Sequence, residues 1–137
     1  MSSAAQTALR VALAATAVAV CLLVLGARRS EERCSQAGAD VVRDVTGTGE
    51  AGSLEPALAT LRRGCTDSRP LVLAASELAR AGRQPEATPL AQQAVREEPE
   101  NPGAWLALFA AQRGSDAPGA ARARDRVLKL NPLAGER

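Results

Sequence analysis

The chain has no histidine and no tyrosine, and it contains one phenylalanine and one tryptophan among 137 residues. Without histidine, it lacks the side chain most often used in acid–base catalysis and in metal ligation at neutral pH. With two aromatic rings, it has almost nothing to stack on nucleic-acid bases. These absences argue against a histidine-dependent enzyme and against a single-strand nucleic-acid binder.

The chain also lacks an excess of one charge and the common catalytic motifs. Seventeen basic residues face fifteen acidic ones, so the net charge of +2 is far from the basic surface of a nucleic-acid-binding protein. No phosphate-binding glycine motif, Cys-x-x-Cys pair or metal-ligand cluster is present. We therefore expect no enzymatic activity, with no catalytic residue, cofactor, metal site or nucleic-acid partner.

Alanine, in contrast, makes up roughly a fifth of the residues, while β-branched and aromatic residues are few. This composition favours helices and predicts an all-α chain. Sixteen arginines stand against one lysine, which together with the alanine content is typical of a GC-rich bacterial genome.

The N-terminal segment differs from the rest because residues 11–27 carry no charge and lie between Arg10 and the pair Arg28-Arg29. A helix of this length spans about 26 Å, close to the thickness of a bilayer core. The segment is interpreted first as an uncleaved signal anchor that contacts the membrane through residues 11–27. A cleaved secretory signal and a buried soluble helix remain as alternatives.

Helical spacing of apolar residues follows, in paired runs. Residues 71–82 place four apolar side chains on one face and end at Gly82, a residue suited to a left-handed helix cap. In the stretch EEPENPGAW, residues 97–105, Pro99 ends one helix, Asn101 can cap the next and Pro102 suits its first turn. The pattern predicts helices over about 71–82, 85–99, 102–113 and 117–130.

We call the spacing from Pro99 to Pro132 the repeat interval. In this spacing the chain resembles the tetratricopeptide repeat family, whose period is about 34 residues. The resemblance implies stacked antiparallel helical hairpins, and a plain helical bundle is the alternative. The residues that carry it are Leu71, Ala74, Ala75, Leu78, Gly82, Ala87, Ala91, Ala94 and Pro99, then Trp105, Leu108, Gly114, Ala120, Val127 and Pro132.

A further step of one repeat interval toward the N-terminus predicts a third, weaker hairpin over about residues 31–66. In this register Gly82 corresponds to Gly49, and Leu54, Leu58 and Leu61 correspond to alanines of the next hairpin. The expected fold is therefore an N-terminal transmembrane helix followed by about three stacked hairpins, a TPR-like α-solenoid. The expected divisions are residues 1–30 for the anchor, 31–133 for the repeats and 134–137 for a tail.

In this hairpin Cys34 lies at the start of the first helix and Cys65 at the end of the second, so the two cysteines are expected to be neighbours. We expect them to form a disulfide, and two buried free thiols are the alternative. A disulfide would indicate an oxidising compartment outside the cytoplasmic membrane. The positions of Arg28, Arg29 and Arg33 weakly favour the opposite orientation, which stays open as the alternative. Because that charge difference is small, the cysteine pairing is given more weight. The expected arrangement is a single pass through the cytoplasmic membrane with the helical domain outside.

The family resemblance implies a concave surface that binds a protein or peptide through the first helices of the hairpins. The function expected is a membrane-anchored interaction module, a scaffold or assembly factor at the bacterial cell envelope. A secreted structural helical domain, released by signal cleavage, is the alternative. The candidate groove residues are Arg69, Val72, Ser76, Ala79, Arg80, Leu106, Ala110 and Arg113.

Overall fold

The computed structural model describes residues 3–49 and 52–135, with side chains for residues 13–49 and 52–133. The described residues contain six α-helices and no strand, which confirms the all-α prediction. A short 3-10 turn, Pro132–Gly135, follows the last helix. The helices are α1 (Ser3–Val45), α2 (Leu54–Gly64), α3 (Ser68–Arg80), α4 (Gln84–Glu97), α5 (Pro102–Gln112) and α6 (Ala117–Leu130).

The chain divides into two compact units, Met1–Glu32 and Arg33–Arg137. In the first unit, every described side chain from Leu13 to Glu32 is exposed to solvent. This part of α1 therefore has an apolar surface that no described residue of the unit covers. All buried side chains named below belong to the second unit.

Helix α1 has no break near Arg28, although the sequence predicted a separate helix from about residue 31. Between Ser3 and Val45 there is no proline, and the arginines and glutamates of residues 28–33 are good helix formers. The change from apolar to charged composition therefore marks a change of surroundings and not the end of a helix.

Two helices end on a glycine with positive φ. At Gly82, φ is +79° and the amide of Arg83 donates to the carbonyl of Leu78. At Gly47, φ is +74° and the amide of Thr48 donates to the carbonyl of Arg43. These six-to-one hydrogen bonds define the same left-handed cap at both ends. The prediction for Gly82 is confirmed, but its counterpart in the first turn is Gly47 and not Gly49.

Three helices begin with a side-chain cap, which satisfies one of the free amides of the first turn. Asp67 accepts from the amide of Arg69, Asn101 from the amide of Gly103 at 2.9 Å, and Asp116 from the amide of Gly119. The role predicted for Asn101 is thus confirmed.

Buried positions recur at the repeat interval along the second unit. On α3 and α5 the side chains of four pairs of residues are all at most 8% exposed. On α2 and α4 four further pairs are at most 7% exposed, and three of the four positions recur on α6. The pairs are Leu71/Ala104, Ala74/Ala107, Ala75/Leu108 and Leu78/Ala111, then Leu54/Ala87, Ala57/Leu90, Leu58/Ala91 and Leu61/Ala94, with Ala120, Ala123 and Val127 on α6.

Helix α3 packs against α4 and α5, and α5 packs against both α4 and α6. Side-chain amides add specific links across these contacts. Asn101, the cap of α5, donates to the hydroxyl of Ser68 at the start of α3, over 3.1 Å. Gln93 on α4 donates to the carbonyls of Leu61 and Cys65, each at 3.2 Å, at the end of α2. The start of α3 and the end of α2 are therefore each fixed partly by a side chain from a later part of the chain.

Replacement of Asn101 by alanine removes the cap of α5 and the links to Ser68 and Glu98, whereas Asp67→Ala removes a cap alone. Loss of an N-cap typically costs about 0.5–2 kcal/mol. We expect the Asn101 variant to lie at the upper end of that range and the Asp67 variant lower, as measured by urea unfolding. Equal losses in the two variants would show that the bonds to Ser68 and Glu98 together contribute nothing.

Candidate functional site

Cys34 on α1 and Cys65, directly after α2, stand at disulfide distance, with Sγ atoms 2.07 Å apart and Cα atoms 5.7 Å apart. The two side chains are 6% and 1% exposed. This proximity was predicted from the sequence, which places Cys34 at the start and Cys65 at the end of the first predicted hairpin. Cys21, in contrast, is an exposed free cysteine in the apolar part of α1.

A close approach of α1 to α3 lies one helical turn beyond Cys34. A Cβ atom on Gly38 would stand 3.0 Å from Cβ and 3.2 Å from Cα of Pro70. Part of that neighbour is backbone, so a larger residue at Gly38 could be accommodated only if the helices moved apart. The small residue therefore keeps α1 near enough to Cys65 for the two sulfurs to meet.

The cysteine pair predicts a defined thiol count. Labelling of denatured, unreduced protein should modify Cys21 alone, and reduction should release the other two thiols. Cys34→Ser together with Cys65→Ser should lower the free energy of unfolding by about 2–4 kcal/mol, the usual effect of such a cross-link. Reaction of all three cysteines before reduction, in rapidly alkylated protein, would contradict the pairing.

The predicted groove residues lie on α3 and α5, two helices in direct contact, with Arg113 immediately after α5. Four of these eight side chains are exposed and four are half-buried. Among the half-buried ones, Val72 and Ala79 pack against the core. The exposed ones are Arg69, Arg80, Leu106 and Arg113, and the half-buried ones are Ser76 and Ala110 with Val72 and Ala79.

Leu73 was missed by the sequence analysis, although its side chain is 46% exposed on α3. It lies one repeat interval before Leu106, which is 55% exposed on α5. The repeat interval itself could have identified it, because Leu106 was already a candidate. Two large apolar side chains thus occupy equivalent exposed positions on neighbouring helices.

Two arginines, Arg80 after Leu73 and Arg113 after Leu106, also lie one repeat interval apart. Arg80 forms an ion pair with Glu77, which lies one helical turn earlier. The guanidinium of Arg113 lies over the ring of Phe109, 6.0 Å from its centroid. An exposed ion pair contributes little to stability, and a cation above an aromatic ring is favourable. Both arginines can therefore turn to an incoming carboxylate at little cost.

A separate polar cleft of about 510 Å³ lies beside α1 and the turn that follows it. Its walls carry amide, carboxylate, guanidinium and hydroxyl groups, and Asp40 and Arg43 pair with each other. Among the described residues there is no group of three or more side chains able to hold a metal ion. The lining residues are Gln36, Asp40, Arg43, Thr48, Gly49 and Ser53.

Glu98 lies at the junction between α4 and α5 and accepts hydrogen bonds from Ser68 and, over 2.9 Å, from Asn101. The hydrogen bond from Ser68 has the larger effect. Both bonds favour the ionised carboxylate and lower the pKa of Glu98 below its usual value of 4.5. Just before α4, the guanidinium of Arg83 donates to Glu86 at 2.7 Å and lowers the pKa of Glu86 in the same way. Arg83 also lies 3.9 Å from Asp44 of α1.

Since the pKa of Glu98 is lower in the folded than in the unfolded chain, its ionisation stabilises the fold at neutral pH. That contribution disappears as the pH falls from the unfolded pKa through the folded one. We expect Glu98→Gln to be less stable than the parent at pH 7 and equally stable in acid. Urea unfolding at several pH values measures this, with Glu97→Gln as the control for loss of one charge. A constant difference at all pH values would contradict it.

Comparison of the chain with protein-family models, curated proteins and solved structures finds no match. The geometry of the helices and the character of their surfaces are therefore the basis for a functional proposal.

Proposed function

We propose that the chain is a membrane-anchored, TPR-like module that binds a protein or peptide and acts as a scaffold or assembly factor at the bacterial cell envelope. The observation that carries this proposal is the recurrence of buried positions on α2 through α6 at the repeat interval. A single interval that sets the burial of successive helix pairs is the property of a repeat protein, in which each unit packs on its neighbours.

The packing partners support the same proposal. Helices α3 and α4 form one pair and α5 and α6 another, and contacts of α5 with both α3 and α4 join the pairs. In a bundle without repeats, nothing requires equivalent residues to be buried on each pair. The hydrogen bond between Ser68 and Asn101 supports the repeat as well, because it joins two residues that are one repeat interval apart.

A membrane anchor is supported by α1. From Leu13 onward it is long and apolar enough to cross a bilayer, and none of its apolar stretch is buried. Exposed leucines and valines in water are costly, and burial in lipid or removal as a signal peptide relieves that cost. The disulfide-distance pair favours an extracytoplasmic location for the second unit, since such bonds persist in oxidising compartments.

An exposed surface on α3 and α5 supports the binding role. Leu73 and Leu106 are large apolar side chains with about half of their surface in water. Single exposed leucines are ordinary, but two at equivalent positions of contacting helices form a patch that a partner can cover. The absence of a catalytic constellation from the sequence agrees with a binding role, and enzymatic activity is no part of the proposal.

The anchor is tested by fractionation of the full-length chain. We expect it to remain in the membrane after a high-salt wash, with an intact mass that includes residue 1. Val18→Arg with Val20→Arg should weaken insertion, as each central arginine costs about 2.5–3.5 kcal/mol. Val18→Leu with Val20→Leu is the matched control and should remain inserted. Recovery of a shortened soluble chain would instead support the secreted structural domain.

A further inference from the structure

Leucine and arginine recur together on the exposed side of α3 and α5. One repeat interval separates Leu73 from Leu106, and the same interval separates Arg80 from Arg113. All four side chains are exposed. We name these four residues the Leu–Arg patch. Because the buried residues of α3 and α5 follow the same interval, the two helices present equivalent positions in equivalent directions.

On α3 the leucine and the arginine lie on one stripe. The equivalent stripe of α5 runs from Leu106 to Arg113, which directly follows the helix and keeps its backbone geometry. The separation of leucine and arginine is close to two full helical turns, about 10 Å along the axis. Helices α3 and α5 run in the same general direction, because the chain reverses between α3 and α4 and again between α4 and α5. Packed helices are typically about 8–10 Å apart. The patch therefore measures about 10 Å on each side, with both leucines at one edge and both arginines at the other.

The charge of the patch is one-sided. Helix α5, Pro102–Gln112, contains no charged residue. On α3 the acidic residue is Glu77, whose side chain is 20% exposed, whereas that of its partner Arg80 is 71% exposed. On α1 the residue equivalent to Leu73 is Asp40, so the apolar edge does not continue onto that helix. The surface thus combines a short apolar edge with two outward-facing cations.

We propose that the Leu–Arg patch binds a short acidic segment of a partner protein. Two apolar side chains of that segment contact Leu73 and Leu106, and its carboxylates pair with Arg80 and Arg113. This inference rests on the proposed binding function and adds the chemistry of the ligand. An extended chain advances about 3.3 Å per residue, so apolar side chains three positions apart match the separation of the two leucines. Arginine is suited to bidentate recognition of the carboxylates.

The test is a selection of short random peptides, displayed on phage, against the full-length chain in detergent micelles. Enriched peptides are expected to be acidic and to carry two apolar residues three positions apart. Leu73→Ser with Leu106→Ser should weaken their binding by about tenfold or more, since the peptide then no longer covers two exposed leucines. The matched control is Leu133→Ser, which alters an exposed leucine on the 3-10 turn and should leave binding unchanged.

Charge reversal supplies the second arm. Arg80→Glu with Arg113→Glu should abolish binding of the acidic peptides and permit binding of versions in which lysine replaces each acidic residue. Lys129→Glu, which reverses an exposed charge on α6, should do neither. Thermal unfolding of every variant separates loss of binding from loss of fold, and the exposure of all the altered side chains predicts small changes.

The outcomes distinguish the two proposals. Peptides that depend on the leucines but carry no excess of acidic residues would overturn the ligand chemistry and leave the binding module standing. If no peptide is enriched on the parent relative to the leucine variant, both proposals fail. Binding of phosphatidylserine vesicles that needs Arg80 and Arg113, without any enriched peptide, would assign the patch to a lipid surface and overturn the peptide proposal.

Discussion

Close contact between helices through small side chains is the constraint on which the second unit depends. Ala74 and Ala107 occupy equivalent buried positions on α3 and α5, and Ala87 and Ala120 do so on α4 and α6. Buried alanines let neighbouring helices approach closely and keep the dispersion contacts of a dense interior. A larger side chain at one of these positions would separate two helices and disturb the next pair as well. The abundance of alanine is therefore a packing requirement and not only a preference for helix.

The same constraint accounts for the near absence of aromatic residues. An aromatic ring does not fit into an interface built on alanine, and Trp105 and Phe109 accordingly lie at its margin, where both are half-buried against the core. Trp105 also donates its indole N–H to the carbonyl of Pro99, at 2.8 Å. The one tryptophan thus fixes the loop between α4 and α5 from outside and does not fill the interior.

Much of the local structure could be predicted because it depends on nearby residues. Asn101, Pro102 and Gly82 act within one turn of a helix end, and their positions suffice to fix the boundaries there. The Thr-Gly-Thr-Gly turn after α1 contains two glycines that could form the left-handed cap. Spacing alone predicts Gly49, whereas the hydrogen bonds to the end of α1 show that Gly47 forms it. Apolar periodicity likewise identified the buried faces of α3 and α4, since burial of a helix follows its own pattern.

The candidate surface was harder to predict because exposure depends on the neighbouring helix. Val72, a predicted groove residue, lies one repeat interval before Trp105, and both side chains are half-buried against the core. Leu73 has the hydrophobicity of a core residue, yet its side chain is 46% exposed on α3. The continuation of α1 past Arg28 was also not predicted. The change from apolar to charged residues there indicates a change of surroundings and does not mark a helix end.

The link between Cys34 and Cys65 changes how the chain carries mechanical load. With the bond formed, tension applied to the N-terminal part of α1 passes at Cys34 directly to Cys65 and enters α3 from there. Residues 35–64, including the last part of α1 and all of α2, lie outside this covalent path. A pull between a fixed N-terminal segment and a partner held on α3 and α5 would leave that helix pair unstretched. After reduction the same pull would run through the glycine-containing turn and through α2.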